Sequence, residues 1–199
     1  MFTGIVEEAA TVTHVQEGKE SIEFAVDSKV CAKALKIGDS LAVNGCCLTV
    51  VNRSGLAKRI IHFDLLLETW KRTNLQFMHP GSLVNLERPL AANGRLDGHF
   101  VTGHIDGIGS ILRWEQSGKD WVLEVFPPEE VMRYLVPKGS VAVDGISLTV
   151  AEVRKKSFVA WIIPHTRDHT AMSARTVSDA VNLEADILGK YVEKFVKPR

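Results

Sequence analysis

Thiol, hydroxyl and imidazole groups are the chemistry this sequence has to offer. Cys47, with Ser40 and Thr49 nearby, and Ser147, with Thr149 nearby, fall in two similar stretches, and His104 lies between them. A thiol and an imidazole support nucleophilic or acid–base work once a fold brings them together. Spacing alone does not bring them together, and a lone histidine on a strand is more often a structural residue. The seven histidines are scattered; the closest pairs are His99 with His104, and His165 with His169. The second pair has the spacing that suits a metal on a helix. Pro164 before it and a strand-like context argue against a helix there, no further ligand stands near, and no metal site is expected. No Walker loop, dinucleotide glycine fingerprint or Gly-x-Ser-x-Gly elbow is present. Phosphoryl transfer, nicotinamide hydride transfer and serine-hydrolase chemistry therefore have no support.

The elements that must position these groups are announced by a repeat. Ser40-Leu-Ala-Val-Asn-Gly-Cys-Cys-Leu-Thr-Val50 returns one hundred positions later as Ser140-Val-Ala-Val-Asp-Gly-Ile-Ser-Leu-Thr-Val150, so the chain is two copies of one domain. Alternating apolar and small residues around a central glycine read as a half-buried strand, with Gly45 or Gly145 marking a bulge or a close backbone approach. Cys46, Leu48 and Val50 share one face and Cys47 and Thr49 the other, as do Ile146, Leu148 and Val150 against Ser147 and Thr149. A bulge at the glycine turns Leu41 and Val43 to the core face and lines up Ser40, Asn44, Cys47 and Thr49 on the polar one. Cys46 reads as a small buried apolar residue. Cys31, Cys46 and Cys47 make an odd count, adjacent strand residues point apart, and all three are read as reduced thiols.

The remaining strands repeat as well. Thr3-Gly-Ile-Val6 is echoed by Thr102-Gly-His-Ile105, Ser21–Val26 by Trp121–Phe126, Phe63–Thr69 by Ala160–Thr166, and Ser82–Glu87 by Asp179–Glu184. Six strand-like pieces per copy, with turn signals between them, predict an all-β protein of two tandem six-stranded antiparallel Greek-key barrels. Pro89–Gly98 is a polar, glycine-rich linker, giving domains at 1–96 and 97–186. The tail, 187–199, has no counterpart in the first copy. Its Ile187, Leu188, Tyr191, Val192, Phe195 and Val196 recur at helical spacing, and this stripe needs a partner, either its own barrel or another subunit. With 24 basic and 24 acidic residues and no block of like charge, neither a nucleic-acid nor a membrane surface is expected. No segment has the run of apolar residues that a spanning helix needs, and a soluble cytoplasmic chain is expected.

Met1–Val6, Asn44–Val50, Gly98–Asp106 and Asp144–Val150, in this order and over essentially the whole chain, resemble riboflavin synthase of the α-chain type. The resemblance implies that two molecules of 6,7-dimethyl-8-ribityllumazine react without a cofactor. One gives a four-carbon unit to the other, yielding riboflavin and 5-amino-6-ribitylaminouracil. It also implies a homotrimer held by C-terminal helices, in which the N-terminal barrel of one subunit faces the C-terminal barrel of its neighbour. Two similar pockets suit a reaction between two identical molecules. Carried over by motif, Cys47, Leu48 and Thr49 line the N-terminal pocket, with Gly4, Ile5 and Val6 across the barrel. Asp64, Leu65, Leu66, Leu67, Glu68 and Thr69 stand beside it, and Gly103, His104 and Ile105 at its mouth. Ser147, Leu148, Thr149 and Lys138 line the C-terminal pocket with the strand Ile162, Ile163, Pro164, His165 and Thr166.

The family's catalytic candidates fall on Ser40, Cys47, His104 and Asp186. His104 or a pocket hydroxyl would take the methyl proton; Ser40 would place a water or add to the ring; Cys47 would polarise or add to it; Asp186 would orient Ser40 or relay protons. Two positions depart from the pattern. His165 stands where the family usually has Glu, as the first copy does at Glu68, and Trp70 and Trp161 near the pocket strands alter stacking. The competing expectation is an antenna protein of the same fold that binds lumazine or flavin without turning it over.

Overall fold

The computed structural model describes residues 1–196. The first copy comprises β1 (Glu8–Glu17), β2 (Ser21–Asp27), β3 (Ser40–Val43), β4 (Cys46–Thr49), β5 (Asn52–Ser54), β6 (Ile60–Leu66), α1 (Leu67–Arg72) and β7 (Leu83–Glu87). The second comprises β8 (Gly107–Ser117), β9 (Asp120–Phe126), α2 (Glu129–Met132), β10 (Ser140–Val143), β11 (Ile146–Val153), β12 (Phe158–Ile162), α3 (Pro164–Asp168) and β13 (Ala180–Ala185), and α4 (Ile187–Val196) follows. The second copy is a closed antiparallel barrel in the order β10-β11-β12-β9-β8-β13. The connection from β9 to β10 skips two strands and β12 returns beside β9, which is a Greek key. The first copy has the same neighbours, but β11's equivalent is divided into β4 and β5, so its ladder is a seven-stranded sheet in the order β4-β3-β7-β1-β2-β6-β5. A single bond from Val51 N–H to the His62 carbonyl, 2.9 Å, spans the break. Each copy keeps its own core, around Phe24, Phe63 and Leu86 in the first and Leu123, Phe158 and Leu183 in the second. That separation is what the period-two alternation of the strands requires.

The repeated phrase is not one bulged strand but a hairpin. Asn44 (φ 45°) and Gly45 (φ 76°), like Asp144 (φ 47°) and Gly145 (φ 78°), occupy the left-handed region. Asn-Gly and Asp-Gly adopt it most readily, and a two-residue turn of this kind matches the twist of the strands it joins. Ser40 pairs with Thr49 and Ala42 with Cys47. Ser40 therefore shares the face of Cys47 and Thr49 through cross-strand pairing, while Asn44 is wholly buried in the turn. The close approach at the glycine is real. A Cβ on Gly45 would lie 2.8 Å from Gly145 N, and one on Gly145 2.7 Å from Gly45 N, so the two hairpin tips meet back to back.

Around this contact runs a buried polar network with near-twofold symmetry. Asn74 N–H donates to Asn182 Oδ1 (2.6 Å) and Ala171 N–H to Asn85 Oδ1 (2.7 Å), while the Asn182 and Asn85 amides donate to the Asn44 and Asp144 carbonyls (2.9 Å each). Burial pushes the Asp144 carboxyl above its ordinary range; the Arg175 guanidinium, at 2.6 Å, and hydrogen bonds from Asn182 and Asn74 oppose that.

Two further expectations are corrected. Phe63–Thr69 and Ala160–Thr166 are not strands throughout: β6 ends at Leu66 and β12 at Ile162, and Leu67, Glu68 and Thr69, like Pro164, His165 and Thr166, begin short helices. Pro164 starts α3 rather than preventing it, because its fixed φ suits the first helical position and its missing N–H has no partner to lose there. His165 and His169 consequently lie on one helix face, with ring centroids 4.1 Å apart. Among the described residues no group of three or more His, Cys, Asp or Glu side chains is placed to hold a metal.

The tail is helical as expected, with residues 197–199 of the predicted helix outside the described residues. One edge of α4 docks on its own barrel. Gly189 packs against the Tyr134 ring, Lys190 Nζ meets Asp106 Oδ1 at 2.6 Å, and Glu193 takes the Tyr134 hydroxyl at 2.7 Å and the Arg133 guanidinium. Leu188, Tyr191, Val192 and Phe195 remain exposed. Among the described residues no helix is long and apolar enough to cross a membrane.

Substituting Gly145→Ala combines left-handed strain with a clash against backbone that cannot yield, and is expected to cost about 2–4 kcal/mol. Urea unfolding of the two proteins measures this directly.

Candidate active site

The polar face of each hairpin meets an arch supplied by the other copy. In a two-residue hairpin the residues flanking the turn exchange hydrogen bonds, so the next ones, Cys47 and Ser147, aim their N–H and C=O groups away from the partner strand. Cys47 N–H donates to the Gly103 carbonyl and Ser147 N–H to the Gly4 carbonyl, both at 2.8 Å. The same alternation turns the amide edges of Thr49 and Thr149 outward, and both residues are exposed. Glycine is required in the arches. Gly4 (φ 78°) and Gly103 (φ 85°) are left-handed, and a Cβ on either would lie 2.7 Å or less from the Cβ of Ser147 or Cys47.

Each arch is clamped from beneath by a buried carboxylate. Glu87, at the end of β7, accepts from Thr3 N–H (2.6 Å), Thr3 Oγ1–H (2.8 Å) and Gly4 N–H (3.0 Å). Glu184, on β13, accepts from Thr102 N–H and Oγ1–H (2.7 Å each) and Gly103 N–H (3.0 Å). Burial pushes both carboxyls up, and these hydrogen bonds pull in the opposite direction. Phe2, wholly buried with Val101, Ala42 and Ala142, wedges between the arches and hairpins, with Cys47 packed against it.

Two groups of residues result. The first gathers Ser40, Cys47 and Thr49 of the first hairpin, Gly103, His104 and Ile105 of the second arch, and the outer face of β6 with Asp64, leading through Leu66 to Glu68 on α1. His104 is exposed on its arch and Ile105 packs on the first core. The second gathers Ser147 and Thr149, the arch Gly4–Val6, and β12 leading into α3. Gly4, Ile5 and Val6, expected across from Cys47, lie instead against Ser147, and Val6 packs on the second core. Pairing of β11 with β12 stops at Val150–Ala160. Beyond it the strands part, leaving Ser147 and Thr149 on one side and exposed Trp161 and Ile163 on the other. Leu65, Leu48, Leu148 and Ile162, by contrast, are core residues beneath these surfaces. Lys138 is left-handed (φ 68°) where the first copy has Gly38 (φ 91°), and each donates to the carbonyl of Val150 or Val50. That conformation costs a lysine about 1–2 kcal/mol relative to glycine.

Cys46 is buried on the core face as expected, and burial pushes its thiol up to about 12. Among the described residues no hydrogen bond joins Ser40 to Asp186. Its Oδ1 accepts from Leu188 N–H at 3.0 Å, capping α4. Its charge acts on His99, which the spacing with His104 singled out but to which no role was given. His99 is buried, its Nδ1 lies 2.7 Å from Ser147 Oγ, and Nε2 has no hydrogen-bond partner among the described residues. Burial lowers its pKa below 6.5, and the Asp186 charge opposes this. Glu87 and Glu184 were missed, although the repeated Val-Asn-Leu-Glu that ends each copy was visible.

The depressed pKa of His99 has a defined consequence. Below the unfolded value near 6.5 the unfolded chain binds a proton that the native chain refuses, so stability falls as pH drops from about 6.5 toward the folded pKa. Chemical denaturation at pH 7.5 and 5 should show a smaller acid loss for His99→Gln than for the unsubstituted chain.

The Lumazine binding domain model matches this chain twice, at residues 3–89 and 102–186. A protein named riboflavin synthase from Actinobacillus pleuropneumoniae is 40% identical over 196 residues, covering 98% of this chain and 90% of that protein. Its namesake from Mycobacterium tuberculosis (strain ATCC 25618 / H37Rv) is 41% identical over 200 residues, covering 99% and 98%. Among solved structures, LumP complexed with riboflavin superposes with a TM-score of 0.86 at 21% identity, covering 93% of this chain and 99% of that one. LumP complexed with 6,7-dimethyl-8-(1'-D-ribityl) lumazine gives 0.84 at 20% identity with the same coverage. Two paired lumazine binding domains and 40% identity across nearly the whole length make this chain a member of the riboflavin synthase family.

Proposed function

We propose that this chain catalyses the reaction its family is named for, transfer of a four-carbon unit between two molecules of 6,7-dimethyl-8-ribityllumazine to give riboflavin and 5-amino-6-(D-ribitylamino)uracil. The observation that carries this is the doubling itself: two outward amide edges, at Thr49 and Thr149, each flanked by an arch and a parted strand. A peptide edge with adjacent donor and acceptor complements the imide edge of a pteridine, and apolar neighbours such as Leu66 or Trp161 and Ile163 suit its ring faces. Holding both molecules removes the cost of their encounter, the main thing a reaction between two identical activated rings requires.

In this reading the substrate contacts are Cys47, Thr49, Asp64, Glu68, Gly103 and Ile105 in one pocket and Gly4, Ile5, Ser147, Thr149, Lys138, Ile163 and His165 in the other. His104 takes a proton from the lumazine methyl group, Ser40 and Cys47 bear on the ring, and Asp186 bears on the second pocket through His99 and Ser147. No cofactor is needed, because the electron-poor ring itself stabilises the methyl carbanion. We take the chain as two lumazine binding domains, 1–96 and 97–186, followed by an assembly helix, 187–199. The exposed apolar face of α4 supports a homotrimer in which the pocket of one subunit's first barrel faces the second barrel of its neighbour. Three free cysteines fit a cytoplasmic setting.

An antenna protein is the second reading, favoured by the fold shared with LumP. The full-length identity to proteins named riboflavin synthase, set against 20% to LumP, favours the enzyme.

Purified chain mixed with 6,7-dimethyl-8-ribityllumazine alone is expected to yield riboflavin and the aminouracil in equal amounts by chromatography; binding with a fluorescence change and no riboflavin would establish the antenna. His104→Ala should lower kcat at least about a hundredfold with riboflavin binding retained. Removing residues 187–199 should turn trimers into weakly active monomers by analytical ultracentrifugation, whereas an active truncated trimer would refute the helix's role.

A further inference from the structure

The two arches are superposable in plan and differ in what they carry. Thr3-Gly4 leads to Ile5, and Thr102-Gly103 leads to His104. Both are clamped by three donors to one buried carboxylate, and both give their glycine carbonyl to the opposite hairpin. Among the described residues no hydrogen bond holds the His104 side chain, so its position follows from its backbone, which Glu184 holds at the Gly103 N–H and Cys47 N–H holds at the Gly103 carbonyl.

We infer that Glu184 is a positioning residue for turnover, setting His104 over the first pocket, and that Glu87, its twin, sets Ile5 at the second pocket and acts on substrate binding. This rests on the proposed role of His104. Each carboxylate has two acceptor oxygens, one for the threonine pair and one for the glycine N–H. Glutamine preserves shape and burial but sets an amide N–H against the glycine N–H, so the glycine is released while the threonine stays held. The arch pivots at Gly103, and through Gly103 O it shifts against Cys47. A displacement of about 1 Å in a proton-transfer group costs up to ~100-fold in rate. An apolar wall such as Ile5 costs affinity instead.

The test compares Glu184→Gln with Glu87→Gln in the full chain. Glu184→Gln is expected to lower kcat roughly 10- to 100-fold with KM within about threefold. Glu87→Gln is expected to raise KM about tenfold with the smaller change in kcat. The His104 ring resonances should shift in Glu184→Gln and stay in place in Glu87→Gln, a readout that holds whether or not the chain turns lumazine over. A shared kinetic pattern in the two variants, or an unmoved His104 resonance in Glu184→Gln, overturns the inference. Should Glu184→Gln fail to fold, Thr102→Val, which removes one donor and keeps the carboxylate, replaces it against Thr3→Val. A lower kcat in Thr102→Val alone then supports the assignment, and wild-type kcat overturns it. His104→Ala run in parallel separates the two layers: slow His104→Ala with normal Glu184→Gln removes only Glu184, whereas normal His104→Ala removes the role of His104 and the inference with it.

Discussion

The exchange of arches between barrels is the constraint on which the rest of the molecule depends. A hairpin edge inside a closed barrel ordinarily finds its partner in the next strand. Here the ladder stops early, and the exposed N–H groups of Cys47 and Ser147 are satisfied by carbonyls from the other half of the chain. An unpaired buried amide costs about as much as a lost hydrogen bond, so neither hairpin is complete without the opposite copy. The consequence reaches the chemistry: every pocket is built from both halves, and its arch can be tuned from a barrel that contributes nothing else to it.

The second layer of constraint is the back-to-back contact of Gly45 and Gly145 and the asparagines around it. The near symmetry is broken at Asn74, which stands where the second copy has Ala171 and bonds through its side chain to Asn44 and Asp144, and again at the turn. Asp144 stands where the first copy has Asn44, and Arg175, which pairs with it, where the first copy has Met78. A buried ion pair is weak evidence for stability, because the cost of desolvating both charges offsets their attraction. Both partners lie in the second copy, and the link across comes from Asn74, whose side-chain amide donates to Asp144 Oδ1 at 2.8 Å.

Duplication also allowed the pockets to diverge. The outward residues are Asp64 and Glu68 in the first, and Trp161 and His165 in the second, with Lys138 in place of Gly38. One surface is acidic and the other aromatic and basic. Under the proposed function, two copies of the same ligand in these surroundings would not be equivalent, as a reaction with a donor and an acceptor requires.

Much of this was legible without coordinates. The repeat, the barrel class, the separate apolar tail and the grouping of Ser40, Cys47 and Thr49 all follow from local spacing, because a period of two and a duplicated motif are properties of the chain itself. The hairpin was misread as a bulged strand although Asn-Gly is the strongest short-range signal for such a turn, and Pro164 was weighed as a helix breaker rather than a helix start. Those are errors about local rules. The placement of Gly4 against Ser147, the pairing of His99 with the same serine, and the clamps at Glu87 and Glu184 are different in kind. They join residues 48 to 143 positions apart in the chain, and no periodicity encodes which copy's arch meets which copy's hairpin. The sequence alone determined that two equivalent barrels exist and which face of each is polar. Only tertiary packing decided that they complete one another crosswise, because a missing hydrogen-bond partner can be supplied by either copy until the glycine tips lock the two together.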